Sequence, residues 1–315
     1  MVGKNRKDMK SQRITRITRM TRIIFFRVNS CNSLIPFFFL LFSFLSCQTA
    51  PKIPDISIDG RLPLEPGGVV YVIAEKEALP VLSQFMLNDI NDKQFQQMVD
   101  RTRVAAAAVY VAPGPRYRLA AWGSYPASRA KMALGSSKEW QKRRSADANA
   151  DYWYSPQRGY TVAVTNGAAL VATAGKKGDE PPDPYSIAPG TALPEGFAAF
   201  RKGAILSLWL NSPAALINQK LGEMGIPLEI PAQQLFISLA PADDERYVAR
   251  LQAHFDSASQ ARALSMMLAF ARNFIPPPLS ILFANSPEQD ENNLTFTTAP
   301  ISVREIALLL KLFSL

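Results

Sequence analysis

A single apolar segment near the start of the chain decides which residues are left to fold into a body. The segment runs from Leu34 to Leu45 and is interrupted only by Pro36 and Ser43. As a helix it would span about 18 Å, well short of the ~30 Å hydrocarbon core of a bilayer. Basic residues precede it and small or polar residues follow it, which is the pattern of a signal peptide. A transmembrane anchor, the alternative, would have to hold Arg27 inside the bilayer at a cost of about 2.5–3.5 kcal/mol.

The segment ends in Phe44-Leu45-Ser46-Cys47, which resembles the lipobox of bacterial lipoprotein precursors. In that family a small residue precedes a cysteine that is acylated, with palmitate among the chains, and becomes the new N-terminus. The resemblance implies a membrane anchor at Cys47 with more than one acyl chain, because a single chain binds a membrane only marginally. Phe44 departs from the Leu that the family prefers, and the alternative is a conventional cleavage nearby with Cys47 incidental. Gln48 in place of Asp implies, by the same resemblance, the outer membrane, on a face that the sequence does not specify.

The formal charge of +9 comes from the leader rather than from the body of the protein. Nine of the 35 Lys and Arg residues and one of the 26 acidic residues lie within residues 1–47. The remainder carries 26 basic and 25 acidic residues, and so no general positive field for phosphates. This balance argues against nucleic acid as a partner. Both cysteines, Cys31 and Cys47, also lie in the leader, so the body is expected to lack an intrachain disulfide.

The leader and two proline-rich stretches divide the chain into five predicted parts, and a short repeat near the start bears on where translation begins. Residues 13–22 repeat every three positions, which is unlike a functional arm, so we expect translation to begin at Met20. Stretches rich in proline and without apolar periodicity are typical of tethers and linkers. The predicted parts are a signal peptide (1–47), a tether (48–67), a first α+β lobe (68–174), a linker (175–202) and a second α+β lobe with a C-terminal helix (203–315).

The two halves of the body contain the same motifs in the same order, which suggests an internal duplication. An apolar strand opens each half, a helix follows, and a Pro-containing turn leads to an Arg-Tyr pair that begins another strand. That strand ends eight residues after the Tyr in an aromatic residue, and a helix entered by Ala-Ser comes next. A Ser-Pro turn between two further strands closes each series. The matching residues are Arg116-Tyr117 and Arg246-Tyr247, then Tyr125 and Phe255, then Ser155 and Ser286.

The inferred unit is strand–helix–strand–strand–helix–strand–strand, close to a ferredoxin-like split βαβ with one added strand. We therefore predict an α+β fold of two tandem ferredoxin-like lobes. Continuous apolar runs at residues 69–73 and 204–210 predict strands that are covered on both faces. Ser302 and Glu305 form a capping-box pattern, which predicts that a final helix begins there. Because this helix is apolar nearly all round, a buried helix that closes the second lobe is favoured over the alternative, a membrane-binding or partner-binding helix.

Two tryptophans are candidates for a ligand or interface surface. Trp122 lies in the polar phase of its strand, where the matching position of the other half is Gln252. It either forms the floor of a ligand groove or packs against the other lobe, and packing is the favoured interpretation. Trp153 lies in the aromatic run 152–154, which suits a binding cluster or, more commonly, the edge of a core.

The chain lacks the usual parts of a catalytic or metal site. His254 is the sole histidine, and alternation along its strand places it on a mainly polar face with Arg250 and Gln252. Because no nucleophile or orienting acid is identifiable nearby, a surface or interface position is favoured over a general base. No nucleotide-binding or zinc-protease motif is present, so no catalytic residue, metal or cofactor is predicted.

The sequence therefore favours a membrane-anchored cell-envelope lipoprotein without catalysis, which binds an unknown protein or small ligand or serves as a scaffold. The alternative is an envelope hydrolase with paired carboxylates, which need no motif visible in a sequence. The obvious acidic groups fall in turns, which argues against the hydrolase. Two carboxylates converging in a cleft would favour the hydrolase instead.

Overall fold

The strands of this chain form one long antiparallel sheet and a separate two-stranded ribbon. The computed structural model describes residues 61–78, 82, 100–111, 114–175, 179–186, 190–223, 225, 229–271, 280–281 and 285–306. The predicted signal peptide, the start at Met20 and the lipidation site at Cys47 lie outside the described residues. The strands are β1 (Arg61–Leu62), β2 (Val70–Glu75), β3 (Thr102–Tyr110), β4 (Arg116–Gly123), β5 (Gln141–Arg144), β6 (Asp151–Ser155), β7 (Tyr160–Val164), β8 (Ala168–Thr173), β9 (Thr191–Ala192), β10 (Leu206–Asn211), β11 (Gln234–Pro241), β12 (Arg246–His254), β13 (Glu288–Asp290), β14 (Asn293–Thr297) and β15 (Ile301–Ser302). The helices are α1 (Ala127–Ser136), α2 (Phe197–Phe200), α3 (Ala214–Glu223) and α4 (Ala258–Ala271).

Within the described residues the main sheet has 13 strands, and it runs through both halves of the body. Its order is β13-β14-β12-β11-β10-β2-β3-β4-β8-β7-β6-β5, with β15 paired to β12. Strand β2 from the first half pairs with β10 from the second half, antiparallel, at the centre. The predicted α+β class is confirmed, with an antiparallel sheet and few helices among the described residues.

The strand order differs from the predicted ferredoxin-like arrangement. In a split βαβ unit the first two strands are parallel and another strand lies between them. Here β2 pairs directly with β3, and β10 with β11, and both pairs are antiparallel. The two predicted lobes also share one sheet, because β10 and β2 join them. Local patterns in the sequence predict the order of elements along the chain, whereas strand pairing depends on contacts between distant residues. Neighbours in sequence became neighbours in the sheet, which is the more frequent outcome.

The strand register places α1 and α4 on the same side of the sheet. Directly opposed residues of neighbouring strands point to one face. Helix α1 packs at one end of this face, where Leu134 lies in a core cluster with Tyr160 and Val171. Helix α4 packs at the other end, where Leu264 lies in a cluster with Phe296. This side is called the helical face, and the opposed residues that define it are Ala121, Ala105, Ala74, Leu206, Leu239 and Ala249.

The opposite side of the sheet is covered by two extended segments rather than by long helices. The described parts of residues 61–66 and 179–202 lie over it, and they are called the strap. Strands β1 and β9 pair within the strap. The central strands thus have cover on both faces, as their continuous apolar runs predicted. The strap side chains in the central core cluster are Leu62, Leu64, Leu193, Phe197 and Phe200.

Several local predictions are confirmed, and one turn is displaced. Helices α1 and α4 begin at the predicted Ala-Ser pairs. Residues 303–306 are helical, and the Glu305 carboxylate accepts hydrogen bonds from the Ser302 backbone N–H (2.7 Å) and hydroxyl (2.8 Å), as the capping box predicted. The hairpin between β13 and β14 turns at residues 291–292 instead of at Ser286, because Glu291 takes the left-handed conformation (φ 48°) that a tight turn requires. No helix within the described ranges is long and apolar enough to cross a membrane.

Candidate functional site

At the β12 end, the strap leaves part of the sheet face uncovered. Helix α2 contacts β11, and beyond it side chains of β12 and β14 remain partly or fully accessible. They alternate with core residues as predicted, so the polar face of this strand is confirmed. This surface is called the open strip, and it is formed by Arg250, Gln252, His254, Asn293 and Thr297.

Arg250 supplies the positive charge of the open strip. Its guanidinium carbon lies 5.1 Å from the centre of the Phe200 ring, at the end of the strap. Ser238 and Thr297 lie directly opposite it on the two neighbouring strands. Ser238 is buried, whereas Thr297 is partly accessible. An exposed cation beside an accessible hydroxyl on a rigid sheet can hold a carboxylate, a phosphate or a hydroxyl-rich ligand by charge and hydrogen bonds.

His254 is half-buried and lies at the edge of the aromatic core. Its ring centre is 4.3 Å from that of Phe236, and Asn293 and Gln234 lie opposite it on the neighbouring strands. Burial lowers the pKa of His254, and the neighbouring Asn293 side chain partly opposes that effect. The imidazole is therefore neutral at neutral pH. No carboxylate of the described residues orients it, and its ring packs against Phe236.

The tryptophans occupy different depths. Trp122 is half-buried and packs against the central core cluster on the strap side of the sheet. Trp153 is only 2% exposed and lies in the cluster beneath α1. Trp209 is buried in the core. The structure does not bring Trp122 and Trp153 together, because they face opposite sides of the sheet.

An ion-pair centre that the sequence did not reveal fastens the strap to the sheet. Glu65 in the strap pairs with Arg116 (2.9 Å) and with Arg118, whose side chain is 4% exposed. Arg118 also donates to the carbonyl oxygen of Asp183 (3.0 Å), at the other segment of the strap. Tyr110 donates its hydroxyl to the carbonyl oxygen of Glu65 (2.7 Å), and burial raises the pKa of Tyr110 far above its ordinary value. These partners are more than 40 residues apart in sequence, so no local pattern announces them.

The outer surfaces of α1 and α4, on the helical face, expose three methionines. Among the described residues, Met132 on α1 is 69% exposed, and Met266 and Met267 on α4 are 63% and 47% exposed. Ala263 and Ala269 are exposed on α4 as well. Sequence reasoning missed this surface, although apolar residues on both sides of the α4 pattern are its signal.

The described part of the chain gives little support for a catalytic carboxylate pair or for a metal site. Glu288 and Asp290 point to the same side of the edge strand β13, and both are exposed to solvent rather than converging in a protected site. No group of three His, Cys, Asp or Glu residues is placed to hold a metal ion within the described ranges. Within the described ranges, Glu288 and Asp290 therefore do not form the converging, protected pair that a hydrolase would need.

Comparisons with known proteins converge on one family. The model of the TP0453 family, which is described as outer membrane-associated lipoprotein TP0453, matches residues 64–274. Crystal form III of TP0453 is similar over 82% of this chain and 99% of that chain, with 17% identity and a TM-score of 0.58. Crystal form IV is similar over 81% of this chain and 97% of that chain, with 16% identity and the same TM-score. No curated protein matches the sequence. Since the family match spans most of the body, this chain belongs to the TP0453 family of outer membrane-associated lipoproteins.

Proposed function

We propose that this outer membrane-associated lipoprotein is anchored by acylated Cys47 and lies with its helical face on the membrane. It offers the open strip to a protein or a small ligand and catalyses no reaction. The observation that carries the proposal is the exposed apolar surface of α1 and α4, which the fold places on one side of the sheet.

The helical face has the chemistry of a membrane-contacting surface. Exposed apolar patches on a soluble body mark interaction sites, and helices with an apolar outer surface lie in the boundary between headgroups and acyl chains. Burying one Met side chain fully contributes about 1.5–3 kcal/mol. Partial burial of Met132, Met266 and Met267 therefore contributes on the order of a few kcal/mol. That is enough to orient an anchored protein, although not to anchor it alone.

The anchor at Cys47 is compatible with this orientation. The described body begins at Arg61 in the strap, on the side of the sheet away from the helical face. Fully extended, the residues between Cys47 and Arg61 reach about 50 Å at most. That distance exceeds the thickness of a sheet with one helical layer, which is about 20 Å. The tether can therefore pass around the body and let the helices face the bilayer.

The open strip would then point away from the membrane. It lies on the strap side, opposite α4, and exposes Arg250. A polar surface of this kind suits a soluble ligand or a partner protein better than lipid tails. Ligand or interface roles for Trp122 and Trp153 stay predictions. The half-buried position of Trp122 supports packing beneath the strap, and the burial of Trp153 supports a role in the core.

An internal duplication underlies this architecture in our proposal. Each half contributes a run of four neighbouring strands, β2-β3-β4-β8 in one and β10-β11-β12-β14 in the other. A helix on the helical face follows the third strand of each run, α1 in one and α4 in the other. The two runs meet back to back at β2 and β10. The shared order supports a duplication, with a unit that differs from a split βαβ in its strand pairing.

A fluorescent label on the lipidated protein tests the orientation. The sequence after Cys47 contains no other cysteine, so Met266→Cys introduces the only free thiol once Cys47 is acylated. The labelled protein is reconstituted into vesicles of phosphatidylethanolamine and phosphatidylglycerol with a polarity-sensitive fluorophore at position 266. We expect its emission to be blue-shifted relative to that of the same labelled protein in detergent-free buffer from which the lipid has been removed.

The matched control carries the label on the other side of the sheet, at Arg250→Cys. Its emission should stay that of a water-exposed fluorophore in the same vesicles. Equal emission from positions 266 and 250 would show that the helical face does not contact the membrane, and the proposed orientation would then be wrong.

A further inference from the structure

We propose that the three exposed methionines of the helical face are sites of reversible oxidation that control contact with the membrane. The inference rests on the proposed membrane orientation. The observation behind it is that the exposed and the inward positions of the helices carry different types of apolar residue. Of the four large apolar side chains that are exposed among the described residues, three are Met. All three lie on α1 and α4, whose inward positions are filled by Leu134, Leu264 and Leu268.

Methionine at these positions has a property that leucine lacks. Both side chains are apolar and of similar size, but the Met thioether is converted to a polar sulfoxide by mild oxidants. Leu at the same exposed positions would give the surface similar affinity for a membrane without that sensitivity. Among the described residues of these helices, the placement of Leu inside and Met outside therefore leaves the inward positions inert and makes the docking surface oxidisable.

The oxidation step is a transfer of one oxygen atom from a peroxide. A sulfur lone pair of the thioether attacks an oxygen of the peroxide, the S–O bond forms, and the O–O bond breaks. Sulfur loses two electrons, and hydrogen peroxide is reduced to water after a proton shift to the leaving oxygen. Methionine sulfoxide reductases reverse the step with electrons from a dithiol. The body after Cys47 holds no cysteine that would compete for the oxidant.

Oxidation would weaken the contact of the helical face without releasing the acyl anchor. Three sulfoxides replace three apolar tips by strongly hydrated groups, so we expect partition of this face into the membrane to fall roughly tenfold or more. Met266 and Met267 are adjacent on α4, and Met132 lies on α1 at the other end of the sheet. The protein would stay tethered while its helical face lifts off.

The test compares the wild type with the triple variant Met132→Leu, Met266→Leu, Met267→Leu, both lipidated and reconstituted into phosphatidylethanolamine and phosphatidylglycerol vesicles. A polarity-sensitive fluorophore is attached at Ala263→Cys on α4 in both backgrounds before hydrogen peroxide is added. Ala263 is exposed beside the methionines, so its label reports the same surface. Peptide mass spectrometry then locates the sulfoxides.

We expect the emission of both labelled proteins to be blue-shifted before peroxide is added. Peroxide should reverse the shift in the wild type alone, and a sulfoxide reductase should then restore it. If emission is blue-shifted and peroxide leaves both proteins unchanged although Met132, Met266 and Met267 are oxidised, the oxidation inference is wrong and the membrane orientation stands. If both proteins respond equally, oxidation acts elsewhere and the inference is again wrong. If neither label is blue-shifted before peroxide, the membrane orientation itself fails and the inference falls with it.

Discussion

The rings of Tyr71 and Trp209 stack with their centres 4.5 Å apart and their planes inclined by 16°, at the junction where β2 meets β10. The two residues are directly opposed in the register of these strands. The indole N–H of Trp209 donates to the Asn211 side-chain oxygen (2.7 Å), and Asn211 in turn donates to the carbonyl oxygen of Gly68 (2.9 Å). This contact joins the two halves of the sheet with aromatic packing and satisfied hydrogen bonds.

Removing the larger ring at this junction should destabilise the whole fold. Trp209→Ala deletes a side chain that is 6% exposed and leaves a cavity beneath the strap, so the free energy of unfolding should fall by about 3–5 kcal/mol. Urea unfolding followed by circular dichroism measures the loss. Trp122→Ala is the matched control, and it should cost less because Trp122 is half-buried. Equal losses in the two variants would mean that the β2–β10 junction is not a principal point of stability.

The ion pair beneath the strap should be stronger than a surface pair. Glu65→Gln leaves Arg118 buried without its carboxylate partner, and we expect a loss of about 2–3 kcal/mol in the free energy of unfolding. The strap should also become more sensitive to limited proteolysis. Asp243→Asn removes the exposed pair with Arg246 and serves as the control, with a much smaller loss. A strap that is as resistant to protease in Glu65→Gln as in the wild type would contradict the role of this pair.

The half-buried imidazole of His254 should make stability depend on pH. Burial lowers the pKa of His254 in the folded protein below its ordinary value of about 6.5. The unfolded chain therefore binds a proton more readily, and the stabilising preference for neutral imidazole is fully present above about pH 6.5 and declines as the pH falls toward the folded pKa. His254→Gln should remove this part of the decline, as measured by urea midpoints between about pH 7.5 and pH 5.5. An unchanged pH dependence in the variant would assign the effect to other groups.

The capping box at the end of the described chain should contribute to stability on its own. Ser302→Ala removes the hydroxyl that accepts the Glu305 backbone N–H (3.3 Å), and the expected loss is about 1 kcal/mol. Thermal unfolding measures it. Ser302→Asp retains an accepting oxygen at the helix N-terminus and should restore most of the loss. A result in which Asp and Ala are equally destabilising would argue against capping as the cause.

Local features of the fold were accessible to sequence reasoning. The alternation along β12 placed His254 and Arg250 on one polar face, and both are found there. The Ala-Ser entries predicted where α1 and α4 begin, and Ser302 and Glu305 form the predicted cap. Each of these features depends on residues within a few positions of one another, so the pattern and the structure have the same cause.

Features made by distant residues were missed. Residues 179–202 show no periodicity, yet Phe197 lies in the core and meets Phe236 with ring centres 5.0 Å apart. A stretch rich in proline has the same composition whether it is a free linker or a strap held by contacts from elsewhere. The same limit explains why the Glu65–Arg118 pair and the direct pairing of β2 with β3 were not predicted.

Anchoring of this lipoprotein to the membrane depends on Cys47 in our proposal. The direct test is mass spectrometry of the N-terminal peptide from protein purified out of the outer membrane fraction of the native cells. We predict a peptide that begins at Cys47 and carries more than one acyl chain, lost when Cys47 is replaced by Ala. An N-terminal peptide that begins elsewhere, with Cys47 unmodified or removed, would contradict membrane anchoring at Cys47.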